Sequence, residues 1–301
     1  MIDLLIHVAL LLLFPPLMLG VINKTKAWFA GRVGPPVLQT YYDLAKLVRK
    51  GMVISDTTTW VFRMGPVVTL ATVLLAGLLI PFGRSGAPIS FAGDLILFAY
   101  LFGLARFCTT TAALDTGSAF EGMGSAREVT FACLSEPALF FAFLVLAKAS
   151  GSLTLTRMLH GPAGGFPMSA VAPLVCVGIG LFVVLLAETC RIPVDDPNTH
   201  LELTMIHEVM VLDHSGRPFA LVLYGASLKL LVLGALIVGP LLPRTSDPWL
   251  DWAGFYAAMG LLAVAVGLVE SATARFRMNR VPQFLVAGLL ATAFAFFLLQ
   301  A

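Results

Sequence analysis

The sequence predicts an all-α, polytopic membrane protein of about eight transmembrane helices, with an amphipathic inner-surface helix after the first. Three observations carry this. Of 301 residues, 58% are hydrophobic and only 12% are charged, about half the ~25% charge of a soluble domain. Apolar runs of bilayer-crossing length, about 20 residues, recur from end to end. Those runs lack the alternation of barrel strands, and lipid admits only helices or closed barrels. The chain reads as a single membrane domain over residues 1–301, with an acidic inner loop at about 188–217.

The spans are read at 3–22, 64–82, 91–110, 127–149, 170–190, 218–241, 252–273 and 281–299. Gly and Pro punctuate the gaps, as at Pro81-Phe82-Gly83, Gly161-Pro162, Gly216-Arg217-Pro218 and Pro282. Pro15-Pro16 inside the first run is expected to kink or unwind that helix. The N-terminus lacks a basic n-region and a small-residue cleavage site, so Met1–Ile22 reads as a retained helix. With the N-terminus outside, 14 Lys and Arg fall on inner segments and 4 on outer ones, with Lys229 left inside a span. Positive charge collects inside, so both termini are expected outside.

The first inner segment, Trp28 to Ile54, is too polar to span. Its helical part, Val37 to Lys50, puts Val37, Tyr41, Leu44, Leu47 and Val48 on one face. That pattern suits a helix lying on the membrane surface or under a partner.

The stretch Glu188–Asp213 concentrates charge in a chain that otherwise avoids it. It holds Glu188, Asp195, Asp196, Glu202, Glu208 and Asp213, with His200 and His207. Adding Asp115, Glu121, Glu128 and Glu136, ten of seventeen carboxylates lie between residues 115 and 213. A charge near the bilayer centre costs at least about 2.5–3.5 kcal/mol, so it faces a cavity, a partner or a proton path. Glu128 and Glu136 are eight residues apart, about 80° around a helix axis at 100° per residue, and line one side of it. Burial and like-charge proximity bring carboxyl groups into the range where they exchange protons near neutral pH. Pairing with Arg127, Lys148, Arg191 and Lys229 is the simpler account for some of these acids, Glu128 beside Arg127 first. Those bases are too few to neutralise ten acids, which favours an acidic proton path including Lys229.

Other chemistry finds little support. His207-Glu208 resembles the start of a zinc-binding H-E-x-x-H, but residue 211 is Val, so no metal is expected. Cys108, Cys133, Cys176 and Cys190 are scattered and read as apolar fillers. No phosphate-binding loop, dinucleotide fingerprint or nucleophile elbow occurs. A net charge of +2 without a basic arm gives no sign of nucleic-acid binding.

Four motifs in order carry a resemblance: Gly31-Arg32-Val33-Gly34-Pro35-Pro36-Val37-Leu38-Gln39 with Tyr42-Asp43-Leu44-Ala45-Lys46-Leu47; Leu114 to Phe120; Gly124-Ser125-Ala126-Arg127-Glu128; and Glu188 with Pro193-Val194-Asp195 and Glu202-Leu203. Over essentially the whole chain, the sequence resembles the membrane heel subunit of complex I (subunit 1) and its homologues in group 4 [NiFe]-hydrogenases such as formate hydrogenlyase. The second and later motifs look like the hydrogenase branch. The resemblance implies a non-catalytic respiratory subunit in the cell inner (plasma) membrane. It would anchor a hydrophilic arm with a hydrogenase-like large subunit and iron–sulfur subunits, beside antiporter-like membrane subunits. The [NiFe] centre and iron–sulfur clusters are expected in those partners, and no cofactor on this chain. By motif, Glu128, Glu136, Glu188, Asp195 and Glu202 fall on the acidic path, and the Arg32–Lys46 segment falls at the arm contact. Arg32, Gln39, Asp43, Lys46, Arg127 and Arg191 are the interface candidates.

Two departures bear on the branch. Complex I proper has Gly-Pro-Asn-Arg-Val-Gly in the first loop, and Ala30-Gly31-Arg32-Val33-Gly34 lacks the Pro-Asn. Hydrogenlyase-type relatives are richer in Glu where this chain has Asn198 and His200. A quinone site beside the first inner loop, lined by Trp28, Phe29, Tyr41 and Tyr42, is the second reading. A stand-alone secondary transporter is the third, and the sequence shows no internal repeat to support it.

Overall fold

A computed structural model describes residues 2–83, 85–162, 165–196, 205–242 and 247–300. Among the described residues there are ten α-helices and no strand: α1 (Ile2–Phe29), α2 (Gln39–Arg49), α3 (Trp60–Leu79), α4 (Asp94–Asp115), α5 (Ala119–Ser150), α6 (Leu155–His160), α7 (Val171–Glu188), α8 (Gly216–Val238), α9 (Pro248–Ala272) and α10 (Val281–Leu298). Eight of them, all but α2 and α6, are long and apolar enough to cross a membrane. The protein is an all-α, multi-pass membrane protein. Several helices outrun their predicted spans: α1 runs to Phe29, and α5 starts at Ala119 rather than 127. Backbone hydrogen bonding carries a helix on past the apolar run that fills the bilayer. The extension of α5 puts Glu121, Glu128 and Glu136 on one continuous rod.

α1 packs on α9, α8 and α2; α8 packs on α3, α3 on α4, and α5 joins α4 to α7 and α10. The spans of α8 and α7 are the most buried, at 67% and 56% of their apolar windows, so they form the centre. These two helices bring Lys229 and Glu188 together.

α1 runs through Pro15 and Pro16 without the expected unwinding. Pro16 has no N–H, which leaves the Leu12 carbonyl without its helical donor. The Tyr224 hydroxyl of α8 donates to that carbonyl at 2.7 Å, and the Tyr41 hydroxyl of α2 donates to the next one, Leu13. The proline pair thus becomes a docking point for two other helices. α2 is shorter than predicted and packs through Tyr41, Leu44 and Leu47, while Val48 stays exposed. Trp28 and Trp60 are exposed at the α2 end of the bundle, and Trp249 is exposed at the other, as in the aromatic belts of membrane interfaces.

The segment 205–211 lies against α5 at glycine distance. A β-carbon on Gly124 would stand 2.8 Å from the Ile206 carbonyl oxygen and 3.0 Å from Met210 Cγ. Gly124→Val is expected to lower stability by about 1–3 kcal/mol through overpacking and to lift His207 away from Glu128. Thermal melting of the detergent-solubilised protein measures this. An unchanged midpoint would mean that the segment yields freely.

Candidate functional site

A guanidinium inside an apolar helix sets the site. Arg106 of α4 donates through Nη1 to Glu136 of α5 and through Nη2 to Glu188 of α7. Its Nε lies 3.7 Å from the Glu128 carboxylate. The planar fork of arginine suits this role, because its donors point in fixed, divergent directions. Glu188 also accepts from Ser135 Oγ at 3.0 Å and pairs with Lys229 of α8 at 2.7 Å. Three carboxylates and two cations from four helices therefore form one network. Adjacent helix residues point about 100° apart. Glu128 turns toward Arg106, whereas Arg127 donates to the Met205 carbonyl at 2.8 Å and to Met123 sulfur.

The network is buried on one side and open on the other. The side chains of Arg106 and Glu188 are 10% and 8% exposed, but that of Glu136 is 46% exposed, so the cluster reaches the bundle surface through Glu136. A cavity of about 60 Å³ adjoins it, bordered by Glu128, Glu188, Lys229, His207, His214 and Cys190 among others. A second, of about 20 Å³, lies between Glu128, Ser135, Glu188, Cys190 and Asp195. Each is wide enough for a water.

Toward the α2 end the charges continue. Asp195 accepts from Arg275 at 2.8 Å and from the backbone N–H groups of Ile206 and His207, each at 3.1 Å. It ties the two ends of the 195–207 stretch to the segment before α10. Glu270 of α9 joins Lys26 of α1 at 2.7 Å to Arg191 at 3.2 Å.

The remaining predicted residues lie apart from the Arg106 network. Asp115 accepts from Thr59 N at 2.7 Å, Thr59 Oγ1 at 2.8 Å and Phe62 N at 3.2 Å, capping the start of α3. Glu121 is fully buried and accepts from Asp213 N at 3.2 Å. Asp196 donates its N–H to Asp195 at 2.9 Å, and Glu208 opens the 3₁₀ turn Glu208–Val211. His207 therefore immediately precedes a short turn. His200 and Glu202 lie outside the described residues. Arg32, Asp43 and Lys46 are exposed at the α2 end, with Gln39 Nε2 donating to Asp43 at 2.9 Å. Arg191 instead turns inward onto Glu270.

Burial sets the titration of three groups at this end. His207 is lowered from 6.5 to about 4, chiefly by desolvation and then by the Lys229 charge. His214, stacked on Phe62 with ring centroids 4.0 Å apart, is lowered to about 4 by burial. The Cys190 thiol is pushed well up, first by burial and then by the Glu128 and Asp195 charges. A histidine whose folded pKa is depressed takes up its proton more readily when unfolded. Its stabilising effect is whole above about 6.5 and is lost as pH falls toward about 4. His214→Phe keeps the stacked ring and removes the titration, so its melting temperature is expected to fall less than the parent's across that window. Parallel acid dependence in both proteins would assign the effect elsewhere.

The profile of the NADH dehydrogenase family matches residues 2–301. The chain belongs to this family, that of the complex I heel subunit. Formate hydrogenlyase subunit 4 of Escherichia coli (strain K12) is 31% identical over 296 residues, covering 94% of each chain. Hydrogenase-4 component C of the same organism is 33% identical over 236 residues, 78% of this chain and 73% of that one. A subunit of the NADH-quinone oxidoreductase of Methylibium petroleiphilum is 26% identical over 268 residues, 83% of this chain and 75% of that one. A chain from the membrane-bound sulfane sulfur reductase, an archaeal respiratory membrane complex, shares the fold with TM-score 0.81 and 19% identity over 98% of both chains.

For this family member, sequence reasoning missed Arg106, Ser135, Glu270, Arg275 and Lys26. The signal for two of them is present in the chain. Arg106 lies inside the predicted span 91–110 and Glu270 inside 252–273, yet the topological count places Arg106 with the inner loops. Its removal leaves the basic asymmetry of the two sides intact.

Proposed function

We propose that this chain is the membrane-anchor and proton-path subunit of a complex-I-like oxidoreductase of the hydrogenase or formate hydrogenlyase type. It docks a hydrophilic redox arm at its α2 end and couples that arm to ion movement. The observation that carries the reading is the Arg106 network. Three carboxylates share one guanidinium, and a lysine joins them through Glu188, beside water-sized cavities in an otherwise largely apolar bundle. Such a network has more than one way to distribute its ion pairs. Lys229 faces the cavity shared with Glu128 and is paired with Glu188. A proton arriving on either carboxylate changes which partner the ammonium favours.

The positions of the charges give the path two ends. Cys190, His207 and Asp195 lead to the α2 end, where Arg32, Asp43 and Lys46 are exposed for an arm subunit. Glu136 leads sideways, and a half-exposed carboxylate at bilayer depth is costly against lipid. That face suits contact with an antiporter-like membrane subunit. The basic asymmetry of the sequence supports an inward-facing α2 end in the plasma membrane, with the [NiFe] and iron–sulfur groups on the partners. The higher identity and fuller coverage of formate hydrogenlyase subunit 4 favour the hydrogen branch over quinone reduction.

Mild-detergent purification on a C-terminal tag tests the reading. The expected result is a complex containing nickel and iron, with hydrogen activity and no quinone-dependent turnover. Recovery of the chain alone and free of iron would sink the anchor role and leave a transporter as the better account.

A further inference from the structure

The sequence sets Cys190 aside as an apolar filler, but the fold gives it another setting. Its backbone stands at φ 53°, a left-handed conformation that residues other than glycine seldom adopt and that clusters at functional sites. Cys190 borders both cavities. One ligand atom from each of Glu128, Cys190 and His207 lies within 4.8 Å of the others. We propose that these three residues bind a divalent metal ion of zinc-like chemistry, with a fourth position open to the larger cavity.

The donor set selects the ion. A thiol, an imidazole and a carboxylate suit zinc, whereas magnesium and calcium take oxygens. Zinc bonds of about 2.0–2.3 Å require each ligand atom to close in by less than about 1 Å, within reach of side-chain rotation. The partners His207 lacks on its own stretch, where Val211 stands, arrive from α5 and from the exit of α7.

Charge points the same way. Among the ion pairs of the described residues, Glu128, Glu136, Glu188 and Asp195 face Arg106, Lys229 and Arg275, four carboxylates to three cations. Metal binding displaces the Cys190 thiol proton to water in the cavity, and the divalent ion balances the resulting thiolate together with the excess carboxylate. Lys229 borders the same cavity and repels the ion, which makes this a reversible site rather than a folding site. A bound ion staples the 205–211 segment to α5 and fills the space between Glu128 and Lys229. Zinc is therefore expected to inhibit coupled turnover, a consequence that rests on the proton-path reading; the site itself does not.

The test uses the purified complex, loaded with zinc chloride and desalted. Zinc content and zinc K-edge X-ray absorption are measured for the parent, Cys190→Ser, Cys190→Ala and His207→Gln. Expected are about one more zinc per complex in the parent than in each variant and a sulfur scatterer near 2.3 Å that disappears with Cys190. Equal zinc content in the parent and all assembled variants, or a parent spectrum unchanged by loss of Cys190, would overturn the site. Zinc bound with one sulfur but without inhibition upholds the site and overturns the proton-path consequence.

Discussion

Arg106→Leu is expected to lower stability by about 3–5 kcal/mol and to abolish coupled turnover. The magnitude follows from breaking a buried ion pair by deleting one partner, which leaves charge without compensation in a low-dielectric site. Glu188 would keep Lys229 and Ser135. Glu136 and Glu128 would lose the cation their carboxylates face. Arg106→Lys separates charge from shape. It restores a positive charge but offers a point donor in place of the fork, so it is expected to recover most of the melting temperature and little of the coupling. Melting of the purified complex, with coupled and uncoupled turnover measured side by side, reads both effects. A leucine variant with parental melting and full coupling would show that the guanidinium is dispensable.

Much of the fold is legible in the sequence, because a bilayer imposes one simple demand on composition. Eight apolar runs give eight spans, and the face Tyr41-Leu44-Leu47 gives the packed side of α2. Helix ends are less legible. Polar residues such as Lys24 and Lys26 end an apolar run without ending the helix that carries them. The proline pair stays within its helix for a related reason. Proline removes a donor locally, but Tyr224 supplies one from 212 residues away, and no local window contains that compensation.

For the site, the sequence indicates which acids to watch and not what joins them. Glu128, Glu136, Glu188 and Lys229 all stand out along the chain, yet Arg106, the partner that the three glutamates share, reads as a topological charge. Asp115 and Asp195 show the opposite difficulty. Both belong to the acid-rich stretch, but their oxygens are taken up by backbone N–H groups and by Thr59 or Arg275. Asp115 only positions chain, whereas Asp195 does so while bordering the smaller cavity beside Glu128. A count of carboxylates does not distinguish these roles, because the distinction lies in which donors the fold brings within 3 Å or so.

Glu188→Leu is expected to lower stability by about 3–5 kcal/mol, whereas Lys229→Met costs less. The asymmetry comes from partner number: Glu188 retains Arg106 and Ser135 when the lysine goes, while Lys229 loses its 2.7 Å partner when the glutamate goes. The double variant Glu188→Leu/Lys229→Met removes both charges together. Apolar replacement of a whole buried pair is often neutral, so most of the lost stability should return, with a coupling energy of roughly 0.5–3 kcal/mol in the mutant cycle. Coupled turnover should not return, because no titratable group is left at either position to exchange a proton with Glu128. Purely additive melting shifts would mean the pair contributes no specific interaction. A double variant that melts like the parent and couples fully would make Glu188 and Lys229 structural residues only, and would move the path onto Glu128, Glu136 and Arg106.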